Sequence, residues 1–174
     1  MKLYLLRHAI AEDPDPGKYP DDSQRPLTRG GHEKMMKIAL ALHKLDKRID
    51  LILSSPFLRA CQTAEIAQKY LHLNKDRLVL IDQLAPLGAP SDLIAEIQAK
   101  YMFESLLLVG HEPDLSRLIS MLISGDTTLS ITMKKGGICC LSVDELVAGK
   151  CATMEWLINP AQVDSLEFHG RTAW

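Results

Sequence analysis

Three short apolar runs in this chain each lead into polar residues of the kinds that bind or attack phosphate. The three junctions are Leu6-Arg7-His8, Leu53-Ser54-Ser55-Pro56 with Arg59 in the following turn, and Val109-Gly110-His111. A guanidinium group pairs with phosphate oxygens two at a time, and a neutral imidazole can attack phosphorus. Residues of these types at the ends of three separate runs therefore predict phosphoryl-transfer chemistry.

His8 is the candidate nucleophile of this chemistry. An unprotonated imidazole can carry the phosphoryl group covalently and so divide one displacement into two steps. Two guanidinium groups, those of Arg7 and Arg59, would hold the phosphoryl oxygens and stay charged at any working pH. Because they disfavour a third positive charge, we expect them to lower the pKa of His8 from its ordinary value of ~6.5.

The remaining polar groups at the junctions are candidate hydrogen-bond donors to the phosphoryl oxygens. His111 directly follows a predicted strand, and Gly110 before it leaves room for a ligand close to the backbone. Ser55 and Thr63 could add hydroxyl donors, although Thr63 is equally compatible with packing. Each of these residues alone is ordinary, and only their convergence on one pocket supports a function. The candidate catalytic residues are His8, Arg7, Arg59 and His111, and the candidate substrate contacts are Arg7, Arg59, His111, Ser55 and Thr63.

Such convergence requires a parallel sheet, which the order of the predicted elements supports. Short β-like runs alternate with helical patterns, as is typical of a parallel sheet flanked by helices. The carboxyl ends of parallel strands share one edge, where the ligands of open α/β sheets bind. The predicted parallel strands are 3–6, 51–54, 78–81 and 106–109, and two closing runs at 137–143 and 152–158 predict an antiparallel hairpin at the sheet's edge.

Local signals predict where the helices begin. Thr28 is the expected N-cap of the first helix, and Ser91 that of the third. Ser55 as N-cap with Pro56 at the first helical position would begin the second helix. The connector 13–24 is rich in Pro and Asp, and the Pro and Gly of residues 13–20 exclude a regular element there. The connector either covers the pocket or lies in solvent. The tail from Asn159 onward is predicted to be irregular.

The composition is that of a soluble globular protein. Its 174 residues, 47% of them hydrophobic and 24% charged, suit one domain spanning residues 1–174. A net charge of −2 predicts no nucleic-acid partner, which would require a basic stripe. No run is long enough to span a bilayer, and Arg7 interrupts the first apolar run too early for a signal peptide. The four cysteines lack metal-ligand spacing, which predicts reduced thiols and a cytoplasmic location.

Four segments of the chain carry a resemblance to a known family. They are Leu6-Arg7-His8-Ala9-Ile10-Ala11-Glu12, Arg25-Pro26-Leu27-Thr28-Arg29-Gly30-Gly31, Ser54-Ser55-Pro56-Phe57-Leu58-Arg59-Ala60-Cys61-Gln62-Thr63-Ala64 and Val109-Gly110-His111-Glu112-Pro113-Asp114-Leu115. In order, and over nearly the whole chain, they resemble the histidine phosphatase superfamily, which is also called phosphoglycerate-mutase-like. The greatest similarity is to its short SixA-type phosphohistidine phosphatase branch.

This resemblance implies an α/β fold, a three-layer α/β/α sandwich with a mainly parallel sheet and an antiparallel edge. It also implies a covalent intermediate on His8 in a phosphate pocket of Arg7, Arg59 and His111, with no metal and no other cofactor. The implied partner is a phosphorylated protein, such as a histidine-containing phosphotransfer protein, or a small phosphorylated substrate. No nucleic acid or membrane is implied as a partner.

Two departures from the superfamily pattern bear on the substrate. Ala9 stands where Gly commonly follows the nucleophile. The usual carboxylic acid lies after the third strand, where this chain has Gln83, which cannot donate a proton as an acid does; Asp82, Glu12 and Glu112 are the alternative acids. A phosphate ester needs a proton on its leaving oxygen, whereas phosphohistidine can leave as neutral imidazole. The missing acid therefore favours phosphohistidine in a protein as the substrate.

Three other functions stay open at this point. A metal-dependent phosphoesterase could draw its ligands from His8, Glu12, Asp13, His111, Glu112 and Asp114. Arg7 beside His8 argues against this, since a fixed cation is unfavourable next to a divalent metal. A phosphate-recognising module with little turnover would not need His8 as a nucleophile. A mutase would need a cap over a small phosphorylated molecule, and the short chain leaves little for one.

Overall fold

The computed structural model describes residues 1–44 and 48–169 of the chain. They form one six-stranded sheet with helices on both faces. The strands are β1 (Lys2–Arg7), β2 (Leu51–Ser54), β3 (Leu78–Leu80), β4 (Ser105–Gly110), β5 (Ile138–Val143) and β6 (Ala152–Ile158). The helices are α1 (Arg29–Lys44), α2 (Leu58–Tyr70), α3 (Pro90–Lys100), α4 (Asp114–Ser124) and α5 (Pro160–His169). In these ranges no helix is both long and apolar enough to cross a membrane.

The strand order across the sheet is β3-β2-β4-β1-β5-β6. The pairs β3–β2, β2–β4 and β4–β1 are parallel, whereas β5 runs antiparallel to both β1 and β6. The predicted hairpin at one edge of a mainly parallel sheet is therefore confirmed. The placement of β4 between β2 and β1 brings the three polar junctions to neighbouring strands.

The side chains of each strand point alternately to the two faces of the sheet, which divides the apolar core into two halves. Leu3 and Leu5 of β1 pack on the face covered by α3 and α4, while Tyr4 and Leu6 pack on the face covered by α1 and α2. Successive side chains of a strand point to opposite faces, so each face of the sheet buries its own set. The result is the three-layer α/β/α sandwich that the resemblance implies.

The helix starts are only partly those predicted from the sequence. Thr28 caps α1, because its hydroxyl accepts the backbone N–H of Gly31 at 2.9 Å. Ser55 does not cap α2, which begins two residues later than predicted; its hydroxyl instead accepts the N–H of Phe57 at 3.2 Å within a turn. Ser91 lies inside α3, where Pro90 takes the first helical position. Proline has no backbone N–H, so no capping side chain is needed to accept a hydrogen bond from this position.

The prediction of an irregular tail is wrong, because α5 begins at Pro160. The side chain of Gln162 accepts the N–H of Asn159 at 2.7 Å, and the N–H of Gln162 donates to the Asn159 carbonyl at 2.9 Å. These bonds satisfy polar groups at the helix start in the manner of a capping box. The buried Val163 then packs α5 onto the α1 side of the sheet.

Candidate active site

The strand register aligns the three polar junctions at one edge of the sheet. The last paired residues are Ser54 with Val109 and Arg7 with Gly110. One step further, the N–H groups of Ser55 and His8 each donate to β4 carbonyls at 3.0 Å. The residues that follow β2, β4 and β1 therefore lie side by side, as the parallel sheet requires.

The structure brings the four predicted catalytic side chains together. The exposed fractions of His8, Arg59 and His111 are 7%, 5% and 4%, and Arg7 is half-buried. The ring centroids of the two histidines are 5.1 Å apart. Both guanidinium groups act electrostatically on both imidazoles, lowering their pKa values. Two cations and two imidazoles thus share a small, mostly buried volume.

His8 is held as a neutral imidazole with one defined tautomer. Its pKa is lowered to about 4, first by burial and then by the charges of Arg59, Arg7 and Lys135. The predicted direction is confirmed, but burial rather than the arginines is the largest cause. Nδ1 lies 2.7 Å from the carbonyl oxygen of Ala9, which can only accept, so Nδ1 carries the proton. Nε2 is left with the free lone pair that a nucleophile needs.

The two guanidinium groups are anchored in similar ways. Nη1 of Arg7 donates to the Met133 carbonyl at 2.7 Å, and Nη1 of Arg59 donates to the Asp22 carbonyl at 2.9 Å. In each group Nε is buried and has no partner among the described residues. A buried N–H without an acceptor costs free energy, so both groups are donors poised for an anion.

Asp22 is a contact that the sequence analysis did not identify. Its carboxylate lies 3.0 Å from Nη2 of Arg59 and 2.8 Å from Nε of Arg25. Its charge also acts on His111. Asp22 lies in the connector 13–24, so this end of the connector reaches the site. No local pattern could have revealed a contact that spans 37 positions of sequence.

His111 is oriented by Ser55. Its Nε2 lies 2.8 Å from the Ser55 hydroxyl oxygen, while its Nδ1 is buried and finds no partner in the described part of the chain. The pKa of His111 is lowered to about 3, mainly by burial and next by His8 and Arg59. The Ser55 oxygen already accepts the N–H of Phe57, so its hydroxyl can donate to Nε2 and leave the proton of His111 on Nδ1.

Thr63 has a different part from the one predicted. Its buried hydroxyl donates to the carbonyl of Arg59 at 2.7 Å and accepts the N–H of Ala9 at 3.0 Å. A hydroxyl has a single proton, so none is left for a substrate oxygen. Thr63 instead ties α2 to the backbone that follows His8.

The segment before β5 closes the other side of the site, and the sequence analysis missed it as well. The N–H of Gly136 lies 3.1 Å from the carbonyl oxygens of both Arg7 and His8. Gly136 has φ 82°, in the left-handed region, and an added Cβ would lie 2.9 Å from Cδ1 of Ile38. Only glycine fits both constraints without strain. Lys135, next to it, adds positive charge near His8.

The candidate acids lie in different surroundings. Asp82 is exposed, and Glu12 is paired with Lys18 at 3.4 Å. Burial raises the pKa of Glu112, whose Oε2 accepts the Ser116 hydroxyl at 2.6 Å. Its Oε1 is buried and has no partner among the residues that the structure describes. Gln83 lines a small cleft together with His111. The hydrogen bond from Ser116 and the charge of Arg7 act against this rise in the pKa of Glu112.

The residues suggested for a metal site do not assemble into one. Within 1–44 and 48–169 no three His, Cys, Asp or Glu side chains lie close enough to hold a metal ion. The four cysteines are free thiols, and Cys139 and Cys140 face opposite sides of the sheet.

Comparison with known proteins identifies relatives over most of the chain. Residues 3–82 match the profile of the histidine phosphatase superfamily (branch 1). The phosphohistidine phosphatase SixA of Escherichia coli (strain K12) is 30% identical over 165 residues, which are 94% of this chain and 96% of SixA. An uncharacterized protein of Picosynechococcus sp. is 36% identical over 140 residues, which are 79% of this chain and 82% of that protein.

Solved structures agree with this relationship. The protein histidine phosphatase SixA complexed with tungstate superposes with a TM-score of 0.80 at 29% identity, covering 94% of this chain and 99% of that one. The alpha-ribazole phosphatase of Shigella flexneri shares the fold, with a TM-score of 0.68 at 18% identity over 92% of this chain and 97% of its own. The chain therefore belongs to the histidine phosphatase superfamily, in its SixA-type branch, and is a phosphatase of that group.

Proposed function

We propose that this phosphatase removes the phosphoryl group from phosphohistidine in a protein, through a covalent phosphohistidine on His8 and without a metal ion. The observation that carries the proposal is the state of His8, a buried neutral imidazole whose Nδ1 is tied to the Ala9 carbonyl. That tautomer leaves Nε2 as the attacking atom, and the charges of both guanidinium groups act on this imidazole.

The surrounding donors suit the charge that develops during transfer. Phosphoryl transfer spreads negative charge over three equatorial oxygens, and catalysis consists largely of positioning and of stabilising that charge. Nε of Arg7, Nε of Arg59 and Nδ1 of His111 are all buried and have no hydrogen-bond partner in the described ranges 1–44 and 48–169. Donors that are fixed before the reaction need no reorganisation during it.

The leaving group favours phosphohistidine over a phosphate ester. In the first step the P–N bond of the substrate breaks while a P–N bond to Nε2 of His8 forms. The substrate imidazole leaves neutral when its other nitrogen carries a proton, so a strong enzyme acid is unnecessary. Water then displaces His8 from phosphorus. This chain has Gln83 in the region of the usual acid, and Asp82 beside it is exposed.

The relatives are compatible with two substrate classes. The name of the Escherichia coli relative states phosphohistidine as its substrate, whereas the Shigella flexneri enzyme is an alpha-ribazole phosphatase, at much lower identity. The higher identity and the weak acid both support the protein substrate for this chain. No second function has an observation of its own to favour it.

Trapping the intermediate tests this proposal. The enzyme is mixed with a phosphotransfer protein carrying radiolabelled phosphohistidine and quenched without acid, which would hydrolyse the product. We expect label on His8 in the wild type and none in His8→Ala. His72→Ala, which removes an exposed histidine, serves as the matched control and should be labelled like the wild type. Full turnover by His8→Ala would refute the covalent route.

A separate measurement tests metal independence. Activity should survive exhaustive chelation and be inhibited by vanadate, which resembles a phosphoryl group in transfer. Loss of activity on chelation, with recovery on adding a divalent cation, would instead support the metal-dependent alternative.

A further inference from the structure

We propose that Leu87 is a docking contact for the phosphorylated protein, against which an apolar side chain of that protein packs beside its phosphohistidine. This inference rests on the proposed function and adds how the substrate protein is recognised. Leu87 is 86% exposed, the largest value among the bulky apolar side chains of the described residues. Nothing in the phosphoryl-transfer chemistry requires such a residue.

Leu87 lies at the rim of the active site. Its backbone N–H donates to Oδ2 of Asp114 at 2.8 Å, and Asp114 is the third residue after His111. The next residue, Gly88, lines the small cleft that also contacts Gln83 and His111. A protein whose phosphohistidine reaches His8 would therefore cover this part of the surface.

The loop holds Leu87 outward in an unfavourable backbone conformation. Its φ of 72° lies in the left-handed region, which is unfavourable for a residue other than glycine. Gly88 packs so tightly that an added Cβ would lie 2.5 Å from the carbonyl oxygen of Gln83. A strained residue persists only where its surroundings fix it, and such residues cluster at ligand clamps and active sites. The loop thus holds the exposed apolar side chain of Leu87 in a fixed position.

The chemistry of the loop fits a protein surface better than a small phosphorylated molecule. Residues 84–90, Leu-Ala-Pro-Leu-Gly-Ala-Pro, carry no charged or hydrogen-bonding side chain. A sugar phosphate would need donors and acceptors for its hydroxyl groups. The ring of Phe57 also contacts His111, 5.4 Å away between centroids. Apolar groups therefore lie beside the polar centre, as in protein interfaces with apolar anchors.

Two substrates with the same scissile bond separate docking from chemistry. One is a histidine-phosphorylated phosphotransfer protein, and the other is free phosphohistidine, which has no protein surface. Leu87→Asn removes the apolar side chain, and Asn tolerates the left-handed region, so the loop should keep its shape. Leu87→Met keeps an apolar side chain. The control is Met102→Asn, 71% exposed and placed before β4, at the opposite edge of the sheet.

We expect Leu87→Asn to raise KM for the phosphoprotein about tenfold, the factor expected when a buried leucine contact is lost. Its kcat on the phosphoprotein and its constants for free phosphohistidine should match the wild type. Leu87→Met and Met102→Asn should resemble the wild type with both substrates.

The outcomes distinguish this inference from the proposed function. An unchanged KM for Leu87→Asn on a phosphoprotein that the wild type hydrolyses would overturn the docking contact alone. A wild type that hydrolyses aryl phosphates but not the phosphoprotein would overturn the proposed function, and this inference with it. A shift from dimer to monomer in Leu87→Asn, with no change in KM, would assign the surface to a second copy of the chain and also overturn the inference.

Discussion

Two pairs of histidines in this molecule have the same spacing and different surroundings. The ring centroids of His8 and His111 are 5.1 Å apart, and so are those of His43 and His72. Each pair also has two arginines nearby: Arg7 and Arg59 at the first, and Arg48 and Arg77 in the cleft that His43 and His72 line. Residue types and spacing alone therefore do not separate the two regions.

Burial and anchoring separate them. His43 and His72 are exposed, and the side chain of Arg48 is 94% exposed. Long exposed side chains keep their freedom and gain little from an ion, because water screens the charge. At the active site Arg59 is 5% exposed and fixed through two nitrogens by Asp22. Under the proposed function, fixed donors out of water, rather than the presence of histidine and arginine, make the first region a phosphoryl site.

The two histidine pairs also lie at opposite edges of the sheet. The active-site pair lies where β1 and β4 end, and the starts of α2 and α4 follow β2 and β4 at the same edge. The exposed pair lies near the ends of α1 and α2, at the opposite edge. Helix starts attract anions through free N–H groups and the helix dipole, and helix ends repel them. Backbone direction thus reinforces the side-chain charges at only one of the two regions.

Removing an arginine from each region gives the largest expected contrast. Arg7→Ala or Arg59→Ala should cost about 3 kcal/mol or more of transition-state stabilisation, comparable to the loss of one fixed donor in an oxyanion site. That corresponds to roughly a hundredfold loss in kcat/KM for the phosphoprotein. Arg77→Ala, in the exposed cleft, should change kcat/KM less than about twofold. A loss below tenfold in both site variants would show that the anchored arginines do not hold the phosphoryl group.

The pH dependence of folding stability tests the difference in burial between the two histidine pairs. The folded-state pKa of His111 is about 3 and that of His8 about 4, while an unfolded histidine titrates near ~6.5. Between these values the unfolded chain binds more protons, so stability is greatest above pH ~6.5 and falls as the pH falls. Each group contributes about 1.4 kcal/mol per pH unit.

Urea unfolding at pH 5.5 and 4.5 measures this dependence. Carboxylates also contribute to the slope, so the informative quantity is the difference between two proteins. His111→Gln lacks one buried titrating group, and its slope should be shallower than that of the wild type by about 1.4 kcal/mol per pH unit. Identical slopes would mean that the imidazole of His111 can be protonated in the folded chain.

The sequence was sufficient to predict the fold and the proximity of the four central residues, because both follow strong local patterns. Strand β2 has the predicted bounds, and the apolar alternation sets both faces of the sheet. Parallel strands then bring their ends to one edge without further information. The predicted helix starts were wrong where several start signals compete over two or three residues, as at Ser55 and Ser91.

Other parts of the site were not predictable from local patterns. The contact of Asp22 with Arg59 and that of Gly136 with the carbonyls of Arg7 and His8 both depend on how distant segments pack. The helix α5 is a different case, because its signal was present. Asn159, Pro160 and Gln162 make the start pattern of a helix, with Pro at the first position and Gln reaching back to the cap.

Removing the Ser55 hydroxyl should have a smaller effect than removing an arginine. Ser55→Ala leaves Nε2 of His111 buried without its 2.8 Å partner, at a cost of about 1–2 kcal/mol in orientation. We expect kcat to fall about tenfold with little change in KM, because the oriented proton on Nδ1 matters most in the transition state. The matched control is Ser54→Ala, which removes an equally buried hydroxyl that donates to the Ser55 carbonyl. Equal losses in both variants would attribute the effect to packing.

The smallest expected effect concerns Asp22, whose carboxylate brings negative charge to Arg59 at the proposed phosphate pocket. Its carboxylate, 3.0 Å from Nη2, is half-exposed, so the pair is worth at most about 1 kcal/mol. An incoming oxyanion must share Arg59 with this carboxylate, and like charges repel. Asp22→Asn should therefore bind vanadate about threefold more tightly. Asp21→Asn alters an adjacent exposed carboxylate that bonds Ser23 and should leave vanadate inhibition unchanged. Weaker inhibition of Asp22→Asn by vanadate, together with a lower kcat, would contradict this expectation. It would mean that Asp22 positions Arg59. The anchoring that distinguishes this region from the exposed cleft would then include the connector.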